Sequence, residues 1–228
     1  SLLNTLMILH VYQPISGNKI ASLSCSGGEA SLIADLAEQF NFRFPKLSSK
    51  QKRKLKSALG DLVHLSNPLD YQTYVWNDQV KLTVAFKTMM EETYDFLFII
   101  MDLPKQGRCS SDSWHPAIAA LKEAKKNAKC PVGLITSLEE NMPEKFAKDL
   151  IKHSIIPLTG LENSLAAVKA LQNVSIQWKI KSTPSIIWER WPNEKSRVLD
   201  EYQSKKVLSR IGINVPKGFV ITDKNSLL

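Results

Sequence analysis

Two textures of apolar and polar positions alternate along most of the chain. Short continuous apolar runs are separated by longer stretches in which apolar residues recur every three or four positions. The clearest run is Phe96-Leu97-Phe98-Ile99-Ile100-Met101, the pattern of a parallel strand covered on both faces. Further strands are predicted over Ile20–Cys25, Phe42–Leu47, Leu62–Ser66, Val132–Ile135 and Ile155–Leu158. A helix is predicted over Glu29–Phe40, where Leu32, Ile33, Leu36, Ala37 and Phe40 fall on one face. The same spacing predicts helices over Ser49–Leu59, Asp78–Thr93, Ser113–Asn127, Pro143–Lys152 and Leu161–Leu171.

Strands and helices that alternate with connections this short imply an α/β fold with a doubly wound parallel sheet. About five strands in a flavodoxin-like order is the simplest such topology. Ligands of these sheets sit beyond the carboxyl ends of the strands. The loops of interest are therefore Ser26–Glu29, Asn67–Trp76, Asp102–His115 and Thr136–Asn141.

After Asn173 the periodicity fades. Trp178, Pro184, Trp188, Trp191 and Pro192 stand among lysine, serine and arginine, which reads as a linker whose tryptophans pack on a neighbour. A helix is predicted over Asp200–Ile211, with Tyr202, Val207, Leu208 and Ile211 apolar and Gly212 as its C-cap. A strand Phe219-Val220-Ile221 follows, with no partner strand before Leu228. The domain reading is thus 1–175 for the sheet domain, 176–198 for the linker, and 199–228 for the beginning of another unit. The chain also lacks an initiator Met, so it reads as a piece of a longer protein.

Composition narrows the function classes. Hydrophobic residues make up 43% and charged residues 23% of the 228, as in an ordinary globular protein. The opening Ser1–Leu9 has neither a basic leader nor a small-residue cleavage site, and no apolar run reaches bilayer length. Three widely spaced cysteines, Cys25, Cys109 and Cys130, read as reduced thiols, which points to the cytoplasm. Neither they nor the four histidines have the spacing of a metal site.

The formal charge is +8, with much of the excess in Lys46, Lys50, Lys52, Arg53, Lys54 and Lys56. No aromatic residues interleave them for base stacking. The cluster therefore reads as the solvated face of a helix whose apolar side is Leu55, Leu59 and Leu62. No nucleic-acid or membrane partner is expected.

Candidate chemistry centres on Ser26-Gly27-Gly28-Glu29. Glycines allow a sharp strand-to-helix turn, and the first helical amides have no intrahelical partner. Free N–H groups and the helix dipole both favour an anion there. Ser26 fits as the N-cap. Glu29 complements the dipole, yet repels a bound anion unless a proton or cation intervenes. Asn67, Asp70, Asp102 and His115 occupy the neighbouring strand-end loops and are candidate ligand contacts, although Asn67-Pro68-Leu69-Asp70 also suits a purely structural turn.

Taken in order, these motifs resemble a known family. They are Ser26-Gly27-Gly28-Glu29-Ala30 with Ala34-Asp35, then Asn67-Pro68-Leu69-Asp70, then Met101-Asp102-Leu103-Pro104. The tail adds Leu199-Asp200-Glu201-Tyr202-Gln203-Ser204-Lys205-Lys206-Val207-Leu208 and Gly212-Ile213-Asn214-Val215-Pro216. The set is similar to the NDP-forming acyl-CoA synthetases, relatives of succinyl-CoA synthetase. Residues 1–175 resemble the flavodoxin-like domain that ends the succinyl-CoA synthetase β-subunit, and 199–228 the opening of an ATP-grasp domain.

The resemblance implies a ligase that makes acyl-CoA from a carboxylic acid, CoA and ATP, with Mg2+, through a phosphorylated histidine. It implies that Ser26, Gly27, Gly28 and Glu29 supply one of two helix N-termini that stabilise the phosphohistidine. The phosphorylated histidine, the CoA-binding domain and the body of the ATP-grasp domain would lie elsewhere, in the same or a partner chain. None of His10, His64, His115 and His153 has the family's phosphohistidine context, so the isolated chain is expected to be inactive. His64 reads as a strand residue and His153 as a surface one. The alternative is a non-catalytic module that senses acyl-CoA or nucleotide for a regulatory or acyltransferase partner. A third reading is a receiver domain, disfavoured because the first strand ends in Cys25-Ser26 rather than in acids, or a flavin carrier, which a visible chromophore would reveal.

Overall fold

A computed structural model describes residues 1–105, 107–180, 198–221 and 223. The chain divides into two units, Ser1–Ser182 and Thr183–Leu228. The first holds α1 (Leu2–Val11), β1 (Ile20–Ser24), α2 (Gly27–Gln39), α3 (Ser49–Leu59), β2 (Leu69–Asp70), α4 (Gln79–Met90) and β3 (Phe96–Ile100). It continues with α5 (His115–Lys125), β4 (Val132–Thr136), α6 (Glu144–Lys152), β5 (Ile156–Thr159) and α7 (Leu161–Trp178).

The five strands form one sheet in the order β2-β1-β3-β4-β5, and every pairing is parallel. This is the flavodoxin-like doubly wound sheet. All five residues of β3 are buried, as their unbroken apolar run requires. Successive side chains point to opposite faces. Leu97 and Ile99 join a core with α3, α4 and α5, while Phe96, Phe98 and Ile100 join a second core with α1, α2 and α7.

Two strands predicted in this unit are absent. Phe42–Leu47 contributes only an isolated bridge, Lys19 to Arg43. Phe42 is buried in the core beside α2 and Leu47 in the core beside α3, so this segment crosses from one face of the sheet to the other. A crossing segment cannot keep the ladder. Leu62–Ser66 is irregular: Leu62 is 86% exposed and His64 is exposed, which corrects both assignments. The strand begins later, at Leu69, because Pro68 has no N–H to give a ladder.

The apolar side of α3 is instead Leu55, Ala58 and Leu59. Its basic face is solvated, with Lys54 paired to Glu91 at 2.7 Å and Lys56 to Asp61 at 2.8 Å. Ser48 and Gln51 close a reciprocal capping box at its start.

Helix α1 has no sequence period, since Leu2, Leu3 and Leu6 are exposed while Asn4 and Ile8 are buried. It packs on α7 and β5, with Asn4 Nδ2 donating to the Thr159 carbonyl at 2.9 Å. Helix α7 runs past Leu171 to Trp178, which is 70% exposed rather than packed. Pro184, Trp188, Trp191 and Pro192 lie outside the described residues.

In the second unit, α8 (Glu201–Arg210) is capped by Asp200, whose Oδ1 accepts from the Gln203 N–H at 2.7 Å. Gly212 follows it with φ +84°. Phe219, Val220 and Ile221 are exposed and form no strand among the described residues. No described helix is long and apolar enough to cross a membrane.

Candidate functional site

The site is built where β1 turns into α2. Ser24 Oγ donates to the Ser26 carbonyl at 2.9 Å and closes the turn. Ser26 occupies the N-cap with extended backbone, φ −133° and ψ 128°, but its hydroxyl makes no capping bond. That corrects the capping role expected of its side chain. The first bond of the helix runs from the Ala30 N–H to the Ser26 carbonyl at 3.1 Å. The N–H groups of Gly27, Gly28 and Glu29 have no hydrogen-bond partner among the described residues, and both glycines are exposed. These are the orphan donors of a helix start.

Carboxyl groups from three elements surround this turn. Asp70 ends β2, paired in register with Ser24. Its Oδ2 lies 3.3 Å from where a Cβ on Gly27 would sit, so a larger residue at 27 would crowd the carboxylate. Gln72 holds Asp70 through both oxygens, its N–H donating to Oδ1 at 2.9 Å and its Nε2 to Oδ2 at 2.7 Å. Gln72 does so from a left-handed backbone, φ 65°, a conformation that costs a non-glycine residue energy.

Asp102 follows β3. Its Oδ1 accepts from the Ser137 N–H at 2.7 Å and from Asn141 Nδ2 at 3.0 Å, while its carbonyl accepts from Trp114 Nε1 at 2.7 Å. Its Oδ2 has no hydrogen bond among the described residues.

Glu29 is the third acid, and one of its oxygens is buried without a partner. Burial, reinforced by Asp102 and Asp70, pushes its pKa up to about 7. The Glu29 carboxyl therefore keeps its proton for much of the time near neutral pH. Burial and the Glu29 charge likewise push the Cys25 thiol up to about 11, which keeps it neutral. Tyr71 is fully buried with an unpartnered hydroxyl, and burial raises its pKa well above the ordinary value.

Beside the turn lies a cleft of about 330 Å3 whose walls include Cys25, Trp76, Met101, Asp102 and Trp114. It sits between the ends of β1 and β3, where the strand order reverses direction. Trp76 and Trp114 meet edge to face with centroids 6.0 Å apart, and Tyr71 lies parallel to Trp76 at 6.4 Å.

The structure thus brings together Ser26, Gly27, Gly28, Glu29, Asp70 and Asp102. It leaves out two candidates. Asn67 precedes β2 and ties the chain together: its Nδ2 donates to the Ile20 and Pro45 carbonyls, and its Oδ1 accepts from the Ser22 N–H. That is a structural clamp. His115 begins α5, exposed, with Nδ1 3.8 Å from Asp112 Oδ1, and lines a different cleft with Ile118 and Lys122.

Sequence reasoning missed Gln72, Tyr71, Trp76, Trp114 and Asn141. The available signal was aromatic residues inside strand-end loops. Among the described residues no group of three His, Cys, Asp or Glu is arranged to hold a metal ion.

No family model matches the chain. It is 25% identical over 239 residues to the acetate–CoA ligase (ADP-forming) of Methanocaldococcus jannaschii, an alignment covering 97% of this chain. A crystal structure of a Pyrococcus horikoshii OT3 protein matches 78% of the chain with TM-score 0.63 and 22% identity, over 40% of its own length. Nearly the whole chain is thus similar in sequence to an ADP-forming acetate–CoA ligase, and its fold recurs in solved structures.

The dinucleotide-forming acetyl-coenzyme A synthetase 1 of Ca. Korarchaeum cryptofilum, in complex with phosphate and ADP, shares the fold at TM-score 0.56 and 16% identity. That match covers 80% of this chain and 40% of the synthetase. The chain spans about a third of the length of the curated Methanocaldococcus relative, 33%.

Proposed function

We propose that this chain is the flavodoxin-like ligase domain of an NDP-forming acid–CoA ligase. In this reading the start of α2 forms one wall of the site that receives a phosphorylated histidine from another domain. The observation that carries it is the set of unbonded N–H groups at Gly27, Gly28 and Glu29, exposed at the carboxyl end of β1. The alignment of 97% of this chain with part of an ADP-forming acetate–CoA ligase supports it.

The chemistry asked of these residues is electrostatic. A phosphoryl group carries up to two negative charges, and a helix start contributes up to ~2 kcal/mol toward a partly buried anion. Gly28 leaves room for a close approach, since a Cβ there would meet nothing nearer than Ser26 Oγ at 3.5 Å. A protonated Glu29 removes one repelling charge and offers an O–H donor. Gln72 holds Asp70 in place beside the turn. ATP, Mg2+, CoA and the acid are handled by the other domains in this reading, and so is the phosphorylated histidine. His10, His64, His115 and His153 are all exposed and lie away from the α2 turn in sequence. The isolated chain is therefore inactive.

The test uses the full-length polypeptide and a nucleoside triphosphate labelled on its terminal phosphate. Acid-labile label on histidine is expected. Gly28→Leu, which screens the amides without filling the core, is expected to lower phosphoenzyme yield about tenfold or more at unchanged melting temperature. Undiminished phosphoenzyme and turnover in that variant overturns the role of α2.

A further inference from the structure

The α2 turn and the neighbouring cleft have opposite electrostatic character. At the turn, three unbonded N–H groups present positive potential. In the cleft, the two indole rings of Trp76 and Trp114 and the free Oδ2 of Asp102 present negative potential, and no lysine, arginine or histidine lines it. Thr73, Asn77, Met101 and Cys25, all uncharged, complete the walls. Cys25 belongs to the cleft and Gly27 to the turn. Two residues of extended chain separate them by at most about 7 Å. The cleft and the turn are therefore adjacent.

A carboxylate-and-indole pocket beside an anion site is a poor receptor for a plain anion. It suits a zwitterion whose negative and positive ends lie a few ångströms apart. The Asp102 arrangement fits this division. Ser137 and Asn141 both bond to Oδ1 and fix the carboxylate, which leaves Oδ2 as a directed acceptor for an N–H. Trp114 is itself anchored to the Asp102 carbonyl, so the aromatic wall and the carboxylate form one rigid unit. Tyr71, buried behind Trp76 with its rings 8° from parallel, supports the second wall.

We propose that the cleft walled by Trp76, Trp114 and Asp102 receives the cationic imidazolium ring of the incoming histidine, while its phosphoryl group rests on the α2 amides. This rests on the phosphohistidine reading and identifies what faces the carboxylates. The cation that relieves the repulsion between the acids and the phosphoryl group is the histidine ring itself. Asp102 accepts the ring N–H through Oδ2, and the indole faces hold the ring by cation–π attraction. Neutral imidazole lacks the charge and binds more weakly.

The chain as it stands permits a direct test by NMR, with imidazole and inorganic phosphate as probes. The Trp114 indole N–H, assigned with Trp114→Phe, is the reporter because it bonds to Asp102. Near pH 6, where imidazole is mostly protonated, it should shift saturably at roughly 10 mM ligand. Phosphate should tighten imidazole binding about threefold and imidazole should tighten phosphate binding equally, because linkage is reciprocal. Asp102→Asn keeps the acceptor for Ser137 and should weaken imidazole about fivefold, while phosphate alone binds no more weakly than to the parent because one repelling charge is gone. Trp76→Leu should weaken imidazole similarly without touching the Asp102 hydrogen bonds.

No saturable shift with imidazole, or equal affinity in both variants, overturns the proposal even if phosphohistidine forms in the full-length protein. Saturable binding in a full-length protein that never labels on histidine removes the assigned partner and, with it, the phosphohistidine reading.

Discussion

Glu29 sets the charge of the α2 entrance, because burial, reinforced by Asp102 and Asp70, pushes its pKa up to about 7. The consequence for stability has a definite sign. Between about pH 4.5 and 7 the native carboxyl keeps a proton that the unfolded one has lost, so stability falls as pH rises through that window. The side chain is only half-buried, and solvent screening reduces the effect well below the full shift. Glu29→Gln should therefore melt higher than the parent by roughly 3 °C at about pH 8 and match it near pH 4.5. Equal melting differences at both pH values would show that folding does not raise the Glu29 pKa. At this scale the glycines and the acids were legible as candidates from their positions at strand ends. Their mutual approach was not, because Asp70 reaches Gly27 only through the pairing of β2 with β1. Gln72 carried no signal at all: its positive φ depends on the two bonds it makes to Asp70.

Among the elements, β4 depends on one residue whose role is invisible in the sequence. Gly133 looks like a weak point in an apolar strand. In the sheet a Cβ there would lie 2.8 Å from Leu158 Cδ1 and 2.9 Å from Phe96 Cε1, so neighbouring side chains already fill its place. Gly133→Val should destabilise the sheet unit by about 3 kcal/mol, read from urea unfolding, through overpacking. A midpoint unchanged from the parent would mean that Leu158 and Phe96 can move aside. Elements with strong periods were read correctly: α3 runs over the predicted Ser49–Leu59, and β3 and β4 differ from prediction by one residue at one end. The errors share a cause. Phe42–Leu47 and Leu62–Ser66 contain buried apolar residues without a strand, because apolar content reports burial rather than ladder bonding. Helix α1 was missed for the converse reason, since leucines on its exposed side erase the period.

The sheet unit as a whole should be most stable along its middle. Strands β1, β3 and β4 are hydrogen-bonded on both sides and covered by helices on both faces, whereas β2 is a two-residue edge strand. Native-state hydrogen exchange should find the slowest amides in β1, β3 and β4, and β2 should exchange faster by about an order of magnitude or more. Uniform protection across all strands would contradict that hierarchy. The sequence alone determined the α/β class, the parallel sheet and the glycine turn that opens α2, because each follows from local rules of periodicity and backbone freedom. Only the tertiary structure decided that Glu29, Asp70 and Asp102 meet around that turn, and that Trp76 and Trp114 wall a cleft beside it. Those residues come from loops after β1, β2 and β3, which are distant in sequence and adjacent only because the strand order is β2-β1-β3. Long-range register, which no local pattern encodes, brings opposite potentials together in one place.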